Sequence, residues 1–270
     1  MARSANIDTE IRSCVFCGGT PLSREHVYPQ WLSNVLPEQL SYRGQSTEVV
    51  HFVDNEDGEQ PLSTREVHQR FTDAVVKRAC KTCNSGWMND LETGSRRVLT
   101  KMMRGERCEI DFEDAKRLAA WTAKTCLMAQ YTHPESVATP ASYYEWLFLT
   151  KEPPPNMQIW AFPSAAQDWG VQMEHRGLLF KTSDRTQLSD PCNTHSTTIG
   201  LGQVVMFILG TTISNLFSEA FTTMLPDNGI QLWPQPSRFI WDPKEFLGDE
   251  DVWLLADLLP LHSGLSISGE

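Results

Sequence analysis

The sequence contains no long hydrophobic run. Its longest, Val204–Leu209, is far short of the roughly 20 apolar residues that a membrane-spanning helix needs. The opening MARSANIDTEIRSC has no apolar stretch of the kind a secretory signal carries. No internal repeat or low-complexity tract occurs. Phosphate loops, nucleophile elbows and dinucleotide fingerprints are absent from residues 111–270 as well. Positive charge is scarce: 23 Lys and Arg stand against 34 Asp and Glu, for a net charge of −11. That balance argues against tight non-specific nucleic-acid binding by the chain as a whole. These absences predict a soluble, cytoplasmic protein with no membrane partner.

What is there begins with an ordinary globular composition, 40% hydrophobic and 21% charged over 270 residues. Such a chain can bury a core without disulfide staples, as one large domain or two smaller ones. The acidity is uneven. Residues 1–110 carry a net −1 and residues 111–270 a net −10. Eight basic residues crowd residues 76–107, namely Lys77, Arg78, Lys81, Arg96, Arg97, Lys101, Arg104 and Arg107. Only Asp90, Glu92 and Glu106 stand among them. A nucleic-acid partner would use such a stretch; a solvated helix face is the competing reading.

Along the chain, residues 1–13 read as a polar lead-in. Leu22 onward should be extended as far as Pro29, with a short helix at Trp31–Leu36. Ser46–Val53 reads as a strand, followed by a turn at Asp54–Gly58, in what looks like an insertion. Apolar spacing predicts helices over 85–103 and 111–131, and a third over 142–149 ended by Pro153-Pro154-Pro155. From Asn156 the pattern changes to short strands at 157–162, 171–173, 177–181, 197–201 and 203–211. Residues 226–243 hold four prolines and read as an extended loop. A short helix is expected at Val252–Leu259. The division expected is residues 1–105 and residues 106–270, the latter helical and then β-rich.

Of seven cysteines, four form two CxxC pairs, Cys14/Cys17 and Cys80/Cys83. Cys108, Cys126 and Cys192 are scattered and read as buried or incidental thiols. Each CxxC presents two thiolates from one turn, and tetrahedral zinc wants four. Gly18 and Gly19 permit the first turn. The pairs therefore predict a structural Zn²⁺ held by Cys14, Cys17, Cys80 and Cys83, with rubredoxin-like iron or a redox pair as alternatives. Four protein ligands leave no open position, so this metal makes the fold and not the reaction.

Two short segments stand beside the knuckles. Glu25-His26-Val-Tyr-Pro29 follows the first, and Asn84 follows Cys83 at once, opening CxxCNxGWMxxLE. This arrangement resembles the HNH nucleases, a ββα-metal family, over about residues 14–105. The resemblance implies an α+β chain: an N-terminal zinc-stabilised ββα-metal (HNH-like) module, then helices and a β-rich C-terminal unit. It implies a metal-dependent endonuclease acting on nucleic acid, DNA foremost, in genome defence or a mobile element. It assigns catalysis to His26, Glu25 and Asn84, with Glu25 and Asn84 also holding a catalytic Mg²⁺ or Mn²⁺.

The residue types suit that chemistry. Histidine takes a proton from water near neutral pH. Hard divalent ions want oxygen ligands such as Glu25 and the Asn84 side chain. Asn84 at a helix start would also stand where backbone N–H groups favour phosphate. The sequence departs from the family twice. Glu25 replaces the usual Asp, and the stretch before Cys80 has no Asn to orient His26; Asp73 or a backbone carbonyl would have to do so.

Plainer readings compete at each position. His26 and Glu25 could be surface groups and Asn84 a helix N-cap. Trp31 and Trp87 suit a core better than base stacking. Glu92 should pair with a nearby Arg or cap locally, with metal ligation the minor alternative. The other six histidines, including His68, read as structural or surface residues. The competing function is a catalytically degenerate zinc-stabilised module that binds nucleic acid or protein. Residues 106–270, whose role the sequence does not assign, could offer a surface for a protein partner or self-association.

Overall fold

The computed structural model describes residues 13–36, 45–51, 60–67, 73–180, 191–214, 216 and 224–258, with backbone alone for 45–51 and 60–67. The lead-in at 1–12, the turn at 54–58, and His68 and His262 lie outside the described residues.

The chain is mixed helix and sheet. Its main sheet has seven strands in the order β10-β6-β9-β8-β7-β2-β3. These are β2 Gln45–His51, β3 Gln60–Val67, β6 Met157–Pro163, β7 Val171–Leu179, β8 Thr194–Leu201, β9 Val204–Thr211 and β10 Ile230–Trp233. All pairs are antiparallel except β2 with β7, which is parallel.

Burial explains why the strands were hard to delimit in the sequence. Every residue of β8 and β9 is buried, because both faces of the sheet are covered. Val204, Met206 and Ile208 pack into one core cluster with Trp121, Leu127 and Met128 of the long helix α3 (Phe112–Ala129). Val205, Phe207 and Leu209 pack into another with Val252, Leu255 and Ala256 of α5 (Asp249–Ala256). Strand side chains alternate between faces, so apolar residues on both faces give β9 a continuous apolar run in place of alternation, whereas β8 is buried with polar residues from Thr194 to Thr198.

Residues 226–243 are a correction. They are not a plain extended loop: Ile230–Trp233 forms the β10 edge, and Phe239–Trp241 forms β11, which pairs with β5 (Cys108–Ile110). Their prolines flank these short pieces at sheet edges, where a missing N–H is tolerated. The first core cluster runs from Cys14 to Trp241, so one apolar interior is shared across residue 105. Among the described residues no helix is long and apolar enough to cross a membrane.

Glu25, His26 and Cys80 lie on a smaller antiparallel pair, β1 (Leu22–His26) with β4 (Val75–Cys80). After β4 comes a single α turn, α1 (Lys81–Cys83), then a wider π turn over Asn84–Met88, then α2 (Asn89–Met103). The expected continuous helix from 85 is interrupted because Gly86 adopts a non-helical φ of −100° and ψ of −115°. The other expected helices stand with small shifts, at α3 and at α4 (Ala141–Thr150).

Candidate functional site

The two CxxC pairs meet. The sulfurs of Cys14, Cys17, Cys80 and Cys83 lie within 4.8 Å of one another. Cys17 Sγ is 3.6 Å from Cys80 Sγ and 3.4 Å from Cys83 Sγ. Tetrahedral zinc with bonds of about 2.3 Å sets sulfurs about 3.8 Å apart, so the four are placed to hold such an ion with little movement. The turns supply the aim. Gly18 takes φ +70°, open to glycine at no steric cost, and lets the Gly18 N–H reach the Cys14 carbonyl at 2.8 Å. The Gly19 N–H points at Cys17 Sγ, and the Cys83 N–H at Cys80 Sγ, each at 3.4 Å. Cys80 caps α1 in this way, so Asn84 is not the N-cap of its helix, and the helix start lies one turn earlier than the sequence suggested.

Asn84 does something else. Its Nδ2 donates to the Arg24 carbonyl at 2.9 Å and to Ser23 Oγ at 3.2 Å. A carbonyl can only accept, which fixes the amide's orientation and turns Oδ1 away from β1. The same amide thereby ties the second CxxC segment to the strand that carries Glu25 and His26.

Glu25, His26 and Asn84 line one cleft of about 220 Å³, with Pro29, Gln30, Trp31 and Glu92 completing the wall. His26 is half-buried, and its Nε2 lies 3.2 Å from the side-chain nitrogen of Gln30. That nitrogen can only donate, so the His26 Nε2 is the acceptor of this contact. Gln30, not Asp73 or a backbone carbonyl, is thus the described partner of the imidazole.

Glu25 is 3% exposed, and what compensates it is a residue the sequence reading passed over. Lys124, fully buried on α3, places Nζ 3.3 Å from Glu25 Oε1 and 2.9 Å from Glu92 Oε1. Glu92 therefore pairs with this lysine and not with a neighbouring arginine. Burial pushes the Glu25 carboxyl above its ordinary range, and Lys124 opposes the shift. Burial also works against charge on Lys124, but Glu92 and Glu25 hold its pKa above that of an ordinary lysine. One buried ammonium thus faces two carboxyl groups at the cleft. The signal for Lys124 was in the sequence: it falls on the apolar stripe of α3 with Trp121, Leu127 and Met128, and a charge there needs acid partners.

The basic stretch is dispersed. Arg97 pairs with Asp114 at 2.6 Å, and Arg104 and Arg107 lie near Glu106 and Asp242. Arg78 packs over Tyr131. Arg96 is exposed and lies 5.2 Å over the Trp31 ring at the cleft wall. Trp87 instead packs edge-on against Phe16, at 5.1 Å between ring centroids. Cys108, Cys126 and Cys192 are buried free thiols.

No family model matches the chain, and neither a curated protein nor a solved structure does.

Proposed function

We propose that this chain is a metal-dependent endonuclease of the HNH type, hydrolysing nucleic-acid phosphodiester bonds, DNA foremost, with His26 as general base. The observation that carries the reading is the meeting of Glu25, His26 and Asn84 in one cleft. They come from two segments far apart in sequence, beside a four-sulfur cluster that in this reading holds a structural zinc. The order of elements, an antiparallel pair followed by a helix, is that of the family resemblance.

The donor set fits a hard divalent ion. Asn84 Oδ1 faces away from its hydrogen-bonded side, and Glu25 and Glu92 add carboxylate oxygens. A bound Mg²⁺ or Mn²⁺ would neutralise the scissile phosphate and the oxyanion that leaves it. The protein's own part is proton handling and position. His26 Nε2, once water displaces the Gln30 amide, accepts the proton of the attacking water. The new P–O bond forms as the P–O3′ bond breaks, the 3′ oxygen takes a proton from solvent, and the phosphate stays on the 5′ end. Lys124 holds Glu25 and Glu92 in register across the cleft.

A second reading, a degenerate binding module, draws on the same lysine: one Glu25 oxygen is already occupied by an ammonium. The deciding experiment incubates zinc-loaded protein with plasmid, linear and single-stranded DNA and RNA, with and without Mg²⁺ or Mn²⁺. A His26→Ala chain of equal zinc content runs beside it. A general base contributes about 10²- to 10⁴-fold, and a loss of that size is expected. Absence of cutting on every substrate favours the binding module, and cutting that survives in His26→Ala removes the base from this site.

A further inference from the structure

A second cluster of metal-ligating side chains lies inside the molecule, between α3 and the main sheet. Cys126 of α3, His175 of β7 and His195 of β8 bring one ligand atom each to within 4.8 Å of the others. All three are buried. We infer that Cys126, His175 and His195 form a second metal site, separate from the four cysteines, that takes one divalent ion of the zinc class, with the Thr197 hydroxyl beside it as an oxygen donor.

Space has been made for these groups. In the sheet register His195 faces Gly177 on one neighbouring strand and Gly210 on the other. A Cβ at Gly210 would stand 2.2 Å from His195 Nε2, so the imidazole occupies a slot that any other residue would fill. The hydrogen bonds aim the donors inward. The Ser136 carbonyl, 3.3 Å from His175 Nε2, can only accept, so Nε2 carries the proton and Nδ1 the lone pair. That Nδ1 points at Thr197 Oγ1, 2.7 Å away, and the hydroxyl is 3.2 Å from Cys126 Sγ. Ligating histidines characteristically donate their far N–H to a carbonyl or carboxylate in this way.

The Cys126–His195 edge also fits. Cys126 Sγ is 3.9 Å from His195 Nδ1, and tetrahedral zinc sets sulfur and nitrogen about 3.6 Å apart. The edges to His175 lie within 4.8 Å, so side-chain movement closes the site around an ion. On binding, the S–H bond of Cys126 breaks, sulfur bonds to the ion, and one proton per ion passes to buffer. His195 binds through Nδ1, with its ring proton moved to Nε2. No oxidant or reductant is involved. A purely structural network of the same side chains would hold no ion.

The test uses the full chain carrying His26→Ala, which removes the cleft imidazole, purified without chelators and loaded with Zn²⁺. Two zinc ions per chain are expected, and X-ray absorption should show nitrogen neighbours at about 2.0–2.1 Å beside sulfur at about 2.3 Å. Adding Cys126→Ala should lower the count to one and leave a sulfur-only shell. One ion per chain with sulfur neighbours alone, before any change at Cys126, overturns the proposal. So does a count of two that Cys126→Ala does not alter. The spectrum of the chain with native Cys126 decides the matter even where Cys126→Ala fails to fold. Neither readout depends on cleavage, so the outcome is independent of the nuclease reading.

Discussion

Replacing Lys124 by methionine removes the ammonium and nearly conserves the shape of its stem. It leaves Glu25, 3% exposed, beside Glu92 with no cation between them. Removing one partner of a buried ion pair costs about 3–5 kcal/mol, because the other charge is left uncompensated. Glu92 keeps 21% of its side chain exposed, so water relieves part of the repulsion, and a loss near 3 kcal/mol is expected. The pH dependence gives a signature. The folded-state pKa of Glu25 lies above its ordinary value because of burial, and Lys124 limits the rise. Without Lys124 the folded state binds a proton still more readily than the unfolded chain. Stability then improves as pH falls through the folded-state pKa and is lost as pH rises past it. The deficit of Lys124→Met should therefore be largest at neutral pH and shrink in mild acid. Adding Glu25→Gln should recover more than half of it. Urea unfolding of zinc-loaded protein at several pH values, without other divalent ions, measures all three. A deficit below about 1 kcal/mol, or one that does not change with pH, would refute the claim that this triad is a compensated buried charge cluster.

The four-cysteine site should govern stability more strongly than any single contact. Structural zinc contributes about 10–16 kcal/mol in small peptides, comparable with the whole stability of a domain. Cys83→Ser, or a chelator, should thus lower the thermal midpoint sharply with loss of zinc measured by elemental analysis. Asn84→Ala should raise the Mg²⁺ needed for half-maximal cutting by about tenfold or more, and cost about 1 kcal/mol from the lost bond to the Arg24 carbonyl. Arg96→Ala should weaken nucleic-acid binding and reduce the steepness of its salt dependence by about one unit, because one phosphate contact releases about one counterion.

The long helices were legible because a 3.6-residue apolar period survives in α2 and α3. The four sulfurs were legible because CxxC is a local turn that needs no knowledge of the rest of the fold. β7 was read as two pieces because Glu174, His175 and Arg176 interrupt its apolar character, yet all three are buried, with Thr197 beside His175 and an ion pair between Glu174 and Arg176. Cross-chain pairing escaped as well. Nothing local in residues 45–51 announces that β2 lies parallel to β7, a register set by tertiary contacts. The break at Gly86 escaped for a subtler reason: the apolar spacing of Trp87, Met88 and Leu91 continues past it, and a π turn preserves the buried face while shifting the backbone.

Lys124 connects these points. The residues of the cleft that local motifs reveal, Glu25, His26 and Asn84, all precede residue 105, which invites the idea that the N-terminal part carries the site by itself. A carboxyl as buried as Glu25 cannot keep its charge without a counter-ion, and the counter-ion arrives on α3. That helix in turn is held by the main sheet through Trp121, Leu127 and Met128. The electrostatics of the cleft therefore depend on the packing of the β-rich half, and a truncation after α2 would remove the ammonium from Glu25 while leaving all four cysteines in place. In such a fragment Glu25 would meet solvent or take up a proton, and the electrostatics of the cleft would change with it.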